Sequence, residues 1–201
     1  MSLDIEQVEQ SITEPALSMQ QPVWHVIVLS IVSCFGYSFY WYYKTWRDLK
    51  SEALSERGRQ KSELEQFADT SPMLRTLGLI VPIFNIYMAV SLMKAIAELN
   101  PSENSYTRKH PLIASGLVMG SIIGLLCLYK LPGAFFMLSF SAAIPLSIVQ
   151  LWLNKYWRSV ESKDLLVRQA FTGKELIVVI LGGLLLGLDC VGIMCGVTVG
   201  R

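Results

Sequence analysis

The chain has 201 residues, 52% of them apolar and only 16% charged, with a formal net charge of +1. Soluble domains carry about a quarter charged residues, so this composition excludes an ordinary soluble domain. A nucleic-acid surface is excluded too, because acidic side chains nearly cancel the basic ones.

The charges are clustered, leaving uncharged runs at residues 15–43, 76–93, 111–129 and 131–154, and a run at 176–200 broken only by Asp189. Crossing about 30 Å of hydrocarbon takes about 20 apolar residues in a helix. The expected fold is all-α, a polytopic helical membrane bundle with a helical membrane domain over 22–201.

Residues 1–21 read as an acidic disordered tail, with Asp4, Glu6, Glu9 and Glu14 and no Lys or Arg. They lack the basic start of a cleaved signal peptide. A first span is expected over about 23–43. Its far end, Tyr37, Phe39, Tyr40, Trp41, Tyr42, Tyr43 and Trp46, reads as an aromatic belt at the headgroup layer. Residues 44–69 alternate charge sign, as in a cytoplasmic helical extension interrupted near Gly58. Trp46, Leu49 and Ala53 would lie against headgroups.

Ser71-Pro72 has the form of an N-cap followed by proline at the first helical position, opening a helix over 72–99. Pro82 presses on the carbonyl of Gly78, so a kink is expected there. Two further spans, about 111–129 and 133–153, are joined by the tight turn Lys130 to Gly133, and Pro145 kinks the second. That span ends in a belt of Trp152, Tyr156 and Trp157. The last span covers 176–200.

Loop charge chooses between two topologies, because cytoplasmic loops carry the excess Lys and Arg. Five full spans divide these residues 9 to 8. If the 72–99 helix instead dips in and returns, or lies in the interface, the division becomes 15 to 2, with only Lys130 and Arg201 outside. The preferred arrangement is four spans plus one kinked re-entrant or interfacial helix, both termini outside the cytoplasm, with five spans as the alternative.

Glycines recur every four residues at Gly116, Gly120 and Gly124 and again at Gly192, Gly196 and Gly200. Such faces let backbones approach closely, within one chain or between copies, and intramolecular packing is the preferred reading. Asp189 shares the second glycine face, and a carboxylate at the bilayer centre costs about 2.5–3.5 kcal/mol on insertion scales. It is expected to be neutral or hydrogen-bonded, with Ser121, Ser139, Ser141 or Asn85 as partners, and is the candidate ion or proton relay. The cysteines read as packing residues and His25 as an interfacial anchor. No catalytic motif, metal-ligand spacing or cofactor signature occurs.

Two stretches carry a resemblance: Tyr40, Trp41, Tyr43, Lys44 and Trp46 in a Y-W-x-Y-K-x-W spacing, and Gln150, Asn154, Tyr156 and Trp157 in a Q-x-x-x-N-x-Y-W spacing. With Ser71-Pro72, Pro82 and Asn85, they resemble a group of bacterial multi-helix membrane proteins of unknown function. The resemblance implies a bacterial inner-membrane location and no assigned activity. Both stretches fall on the cytoplasmic face of the preferred topology. There Trp41, Lys44, Trp46, Arg47, Asn154, Trp157 and Arg158 would form an aromatic, basic interfacial rim for anionic headgroups or a partner's acidic segment. Two independent anchors remain the simpler reading.

The expected role is non-enzymatic, exerted through helix association or as an accessory subunit, with lipids and itself or another membrane protein as partners. A small transporter or channel using Asp189 is the alternative.

Overall fold

The computed structural model describes residues 17–131, 133–162 and 165–194. Among them the chain is all-helical, apart from an isolated bridge between Leu17 and Leu166. The elements are α1 (Val23–Val32), α2 (Gly36–Leu54), α3 (Ser62–Ala68), α4 (Pro72–Leu77), α5 (Pro82–Glu98), α6 (Tyr106–Lys109), α7 (Pro111–Cys127), α8 (Ala143–Val160) and α9 (Gly173–Met194). Short 3-10 segments fill Gly58–Gln60, Gly78–Ile80 and Leu128–Lys130, and a longer one, Gly133–Ala142, leads into α8.

The run over 23–43 is not one helix. Cys34 and Phe35 both take left-handed backbone conformations, with φ of 47° and 67°, which costs side-chain-bearing residues energy and stops the helix. The hydroxyl of Ser33 then accepts from the backbone N–H of Tyr37 at 2.8 Å and starts α2. Gln21 Nε2 donates to the Tyr37 hydroxyl at 2.6 Å. A continuous helix would hold those residues about 24 Å apart, so the chain folds back.

Helix α1 alone is about 15 Å long, half a hydrocarbon core. Residues 17–21 therefore lie beside the connector that follows α8, where Ser18 N–H donates to Leu166 O at 3.0 Å and Met19 N–H to Glu161 at 2.7 Å. This overturns the placing of the amino-terminal side opposite that connector. The charge count could not detect the error, because the tail carries no Lys or Arg.

The 72–99 segment is also bent. Val81 is extended, with φ of −84° and ψ of 117°, because the residue before a proline avoids the helical region. Pro82 thus opens α5 rather than kinking a helix from within. Arg75 Nη1 reaches Met88 Sδ at 3.1 Å, although a straight helix would separate the two residues by about 20 Å. Gly78 allows this bend, since a Cβ there would lie 2.8 Å from the Phe84 ring. Glu63, before the segment, pairs with Arg108, after it, at 3.6 Å. A full crossing would hold them apart by about 30 Å. Leu77, Ile80, Val81 and Phe84 are exposed around the bend.

Two helical stretches, Pro111–Lys130 and Phe135–Val160, are long and apolar enough to cross a membrane. They differ in role, since 22% of the first is buried against 56% of the second. Helix α8 is a central element of the core, contributing Leu146, Val149, Leu153, Tyr156 and Trp157. Pro145 is the third residue of its α-helical part, at the change from the 3-10 segment that leads into it. Helix α7 turns Leu112, Ile113 and Leu117 outward.

Helix α9 begins with a reciprocal cap. Thr172 N–H donates to Glu175 Oε2 at 2.8 Å and Glu175 N–H to Thr172 Oγ1 at 3.3 Å. Arg168 pairs with the same carboxylate at 2.9 Å. His25 is fully buried here rather than interfacial, stacked on Phe171 at 4.4 Å with Nε2 3.2 Å from Gln169 O. Cys127 and Cys34 are exposed. Cys195 and the side chain of Cys190 lie outside the described residues.

Candidate functional site

The two aromatic stretches meet. Trp41 Nε1 donates to Gln150 Oε1 at 2.6 Å, Gln150 Nε2 to Asn154 Oδ1 at 2.8 Å, and Asn154 Nδ2 to Gln21 O at 2.7 Å. Gln21 N–H returns to Asn154 Oδ1 at 3.2 Å and its amide continues to Tyr37. Five residues from three parts of the chain thus share one polar network at the junction of α1, α2 and α8. Trp41, Gln150 and Gln21 are each no more than 2% exposed, so every bond in the network replaces one to solvent.

A second cluster lies further along the same seam. Glu52 takes Arg57 through Nη2 at 2.6 Å and Nε at 2.8 Å, and accepts from the Tyr156 hydroxyl at 3.3 Å. Lys61 sits 4.5 Å above the Tyr156 ring with Nζ 3.4 Å from its oxygen. The bonds to Glu52 hold the Arg57 guanidinium even more firmly charged than usual, whereas burial lowers the Lys61 ammonium. Gly58 closes the turn between them. A cleft of about 250 Å³ opens alongside, lined by Asp48, Glu52, Arg57, Trp157 and Glu161 among others.

The expected rim is therefore a packed junction. Trp41, Trp46 and Trp157 are buried, because α2 folds back onto α8 and onto α3 and α4 instead of reaching the headgroup layer alone. Leu49 and Ala53 are buried with them. Lys44 and Arg47 are both engaged by Asp48, at 3.4 and 3.0 Å, and Asn154 belongs to the network. Arg158 is exposed. Sequence reasoning named Trp41, Asn154 and Trp157 but missed Gln150 as the partner of Trp41 and Asn154, and Glu52 as the centre of the second cluster. The four-residue spacing from Gln150 to Asn154 was the available signal.

The first glycine face points outward. Among the described residues, a Cβ at Gly116, Gly120 or Gly124 would meet nothing within 4 Å, so these glycines pack against no other described helix. The close approach occurs instead at Gly182, whose Cβ would lie 2.2 Å from Val32 O where α9 leans on α1. Gly182 lies off both four-residue repeats and was not singled out by them. Gly192 falls within α9, while Gly196, Gly200 and the Asp189 side chain lie outside the described residues. The hydroxyls of Ser121 and Ser141 bond to carbonyls of their own helical segments, Leu117 O at 2.8 Å and Leu138 O at 2.6 Å.

No group of three or more metal-ligating side chains occurs among the described residues. Comparison with protein-family models, with curated proteins and with solved structures finds no match to this chain.

Proposed function

We propose that the chain is an integral membrane protein that works by helix association, with a second copy or with another membrane protein, rather than by catalysis. The observation that carries the reading is the outward glycine face of α7. Gly116, Gly120 and Gly124 lie along one side of the less buried of the two apolar stretches, with nothing of the described residues upon them. In a bilayer such a face gains from backbone contact, because lipid tails cannot match the fit of a second helix.

The junction end, where the two aromatic stretches meet, is assigned to the cytoplasm. The 15 to 2 division of Lys and Arg supports this, and the division is unchanged by moving a tail that carries neither. Helices α7, α8 and α9 cross, while the 23–54 and 72–98 segments dip in and return. The resemblance of the aromatic motifs adds a bacterial inner membrane as the setting.

Two experiments test the reading. With a membrane-impermeant maleimide, Ser71→Cys and Ser102→Cys are expected to label from the same side of sealed vesicles. Labelling from opposite sides sinks the dipping segment. Gly120→Leu is expected to weaken self-association or partner capture at least about tenfold while the monomer melts as before, since the new side chain enters open space. Unchanged assembly would reject the association reading.

A further inference from the structure

We propose that Lys50 and Arg75 form a binding site for the headgroup of an anionic phospholipid whose chains lie on the outer face of α4. Lys44, Arg47, Arg57, Lys94, Arg108 and Arg168 are all ion-paired. Lys50 and Arg75 are half-buried and pair with no carboxylate among the described residues. Lys50 Nζ donates to Thr70 O at 2.8 Å, leaving its other N–H groups for a ligand. The Arg75 guanidinium lies over the Trp46 ring at 5.1 Å and touches only the Met88 sulfur at its edge. No oxygen of a described residue accepts from it.

The two cations belong to one place. Trp46 and Lys50 are one turn apart on α2, and Thr70 and Arg75 flank the start of α4, so both charges line the seam between these helices. The cation–ring contact keeps the Arg75 charge at this seam, where its free N–H groups can meet a phosphate. Met73, Leu74 and Ile80 are 65%, 70% and 69% exposed on the segment that carries Arg75. A phosphate with hydrocarbon attached satisfies both surfaces, whereas a free anion leaves the apolar one uncovered. The inference rests on the reading that the 72–98 segment dips into the bilayer, which puts α4 beside lipid.

The test uses the full chain in a mild non-ionic detergent, titrated with dihexanoyl phosphatidylglycerol, dihexanoyl phosphatidylcholine and inorganic phosphate, with adducts counted by native mass spectrometry. Two cations beside an anionic surface predict a preference for phosphatidylglycerol over phosphatidylcholine of about ten- to thirtyfold. The double variant Lys50→Gln/Arg75→Gln should lose the preference, and Arg75→Lys should keep most of it. Lys50→Gln alone, whose side chain holds only a loop carbonyl, should lose part of it without lowering the melting temperature.

Equal binding of the two lipids by the wild type overturns the site, as does a preference that survives in a folded double variant. Inorganic phosphate binding as tightly as phosphatidylglycerol overturns the lipid assignment. The maleimide experiment reads the dipping segment separately. Opposite-side labelling with the lipid preference intact removes the topology and not the cation pair, whereas one-sided labelling without a preference removes the site alone.

Discussion

Gly58→Ala is expected to destabilise the protein by about 3 kcal/mol or more, at or above the upper end of overpacking costs. A Cβ at this position would lie 1.8 Å from Glu52 O, 2.6 Å from Glu52 C and 3.0 Å from Ala53 Cα. These are backbone atoms, so no rotamer change relieves the overlap. The displaced carbonyl accepts from the N–H of Ser55 at 3.0 Å and from its hydroxyl at 2.6 Å, bonds that end α2. The Glu52 side chain on the same residue binds Arg57 and Tyr156, so moving the backbone also loosens the ion pair. Thermal melting in detergent measures the effect. A melting temperature within about 2 °C of wild type would show that the turn is not packed as described.

Trp41→Ala should cost about 3–5 kcal/mol, the range for deleting a buried tryptophan side chain. Trp41 is 1% exposed and lies between α2 and α8, so its removal leaves a cavity that the helices close only by losing other contacts. Trp41→Phe isolates the polar part. It keeps most of the ring volume and removes the N–H that satisfies Gln150 Oε1 at 2.6 Å, for an expected loss of about 1–3 kcal/mol. Both variants are read by the same melting experiment. A lipid-facing anchor would tolerate either change with little loss, so a small effect of Trp41→Ala would restore the belt reading of this stretch.

The aromatic stretches show why local pattern misleads in an apolar chain. A run of Tyr and Trp beside Lys and Arg is what a membrane boundary requires, and it is also what a buried junction with hydrogen-bonding rings requires. The difference lies in whether another helix covers the rings. That cover depends on the reversal at Ser33 to Phe35, which no glycine or proline announces at the two left-handed residues. Pro82 was legible as an interruption, but its consequence was not. The bend itself is fixed by side chains far apart in sequence, Glu63 with Arg108 and Arg75 with Met88.

Glycine spacing has the same ambiguity. Packing within the chain was the preferred reading of the repeat at Gly116, Gly120 and Gly124, although one pattern serves contacts within and between chains. Among the described residues that face is open and the intramolecular contact falls at Gly182, where neighbours are set by how α9 crosses the broken end of α1.

The sequence by itself determined the all-helical class, the two long apolar stretches around Lys130 and the position of the breakers Gly58 and Pro82, because apolar run length and backbone freedom or constraint act locally. Only the tertiary structure decided that residues 23–54 double back, that the two aromatic motifs close on one another, and that Lys50 and Arg75 meet no acid among the described residues. Each of these depends on which distant surface covers a side chain, and that is set by helix packing rather than by neighbours in the chain.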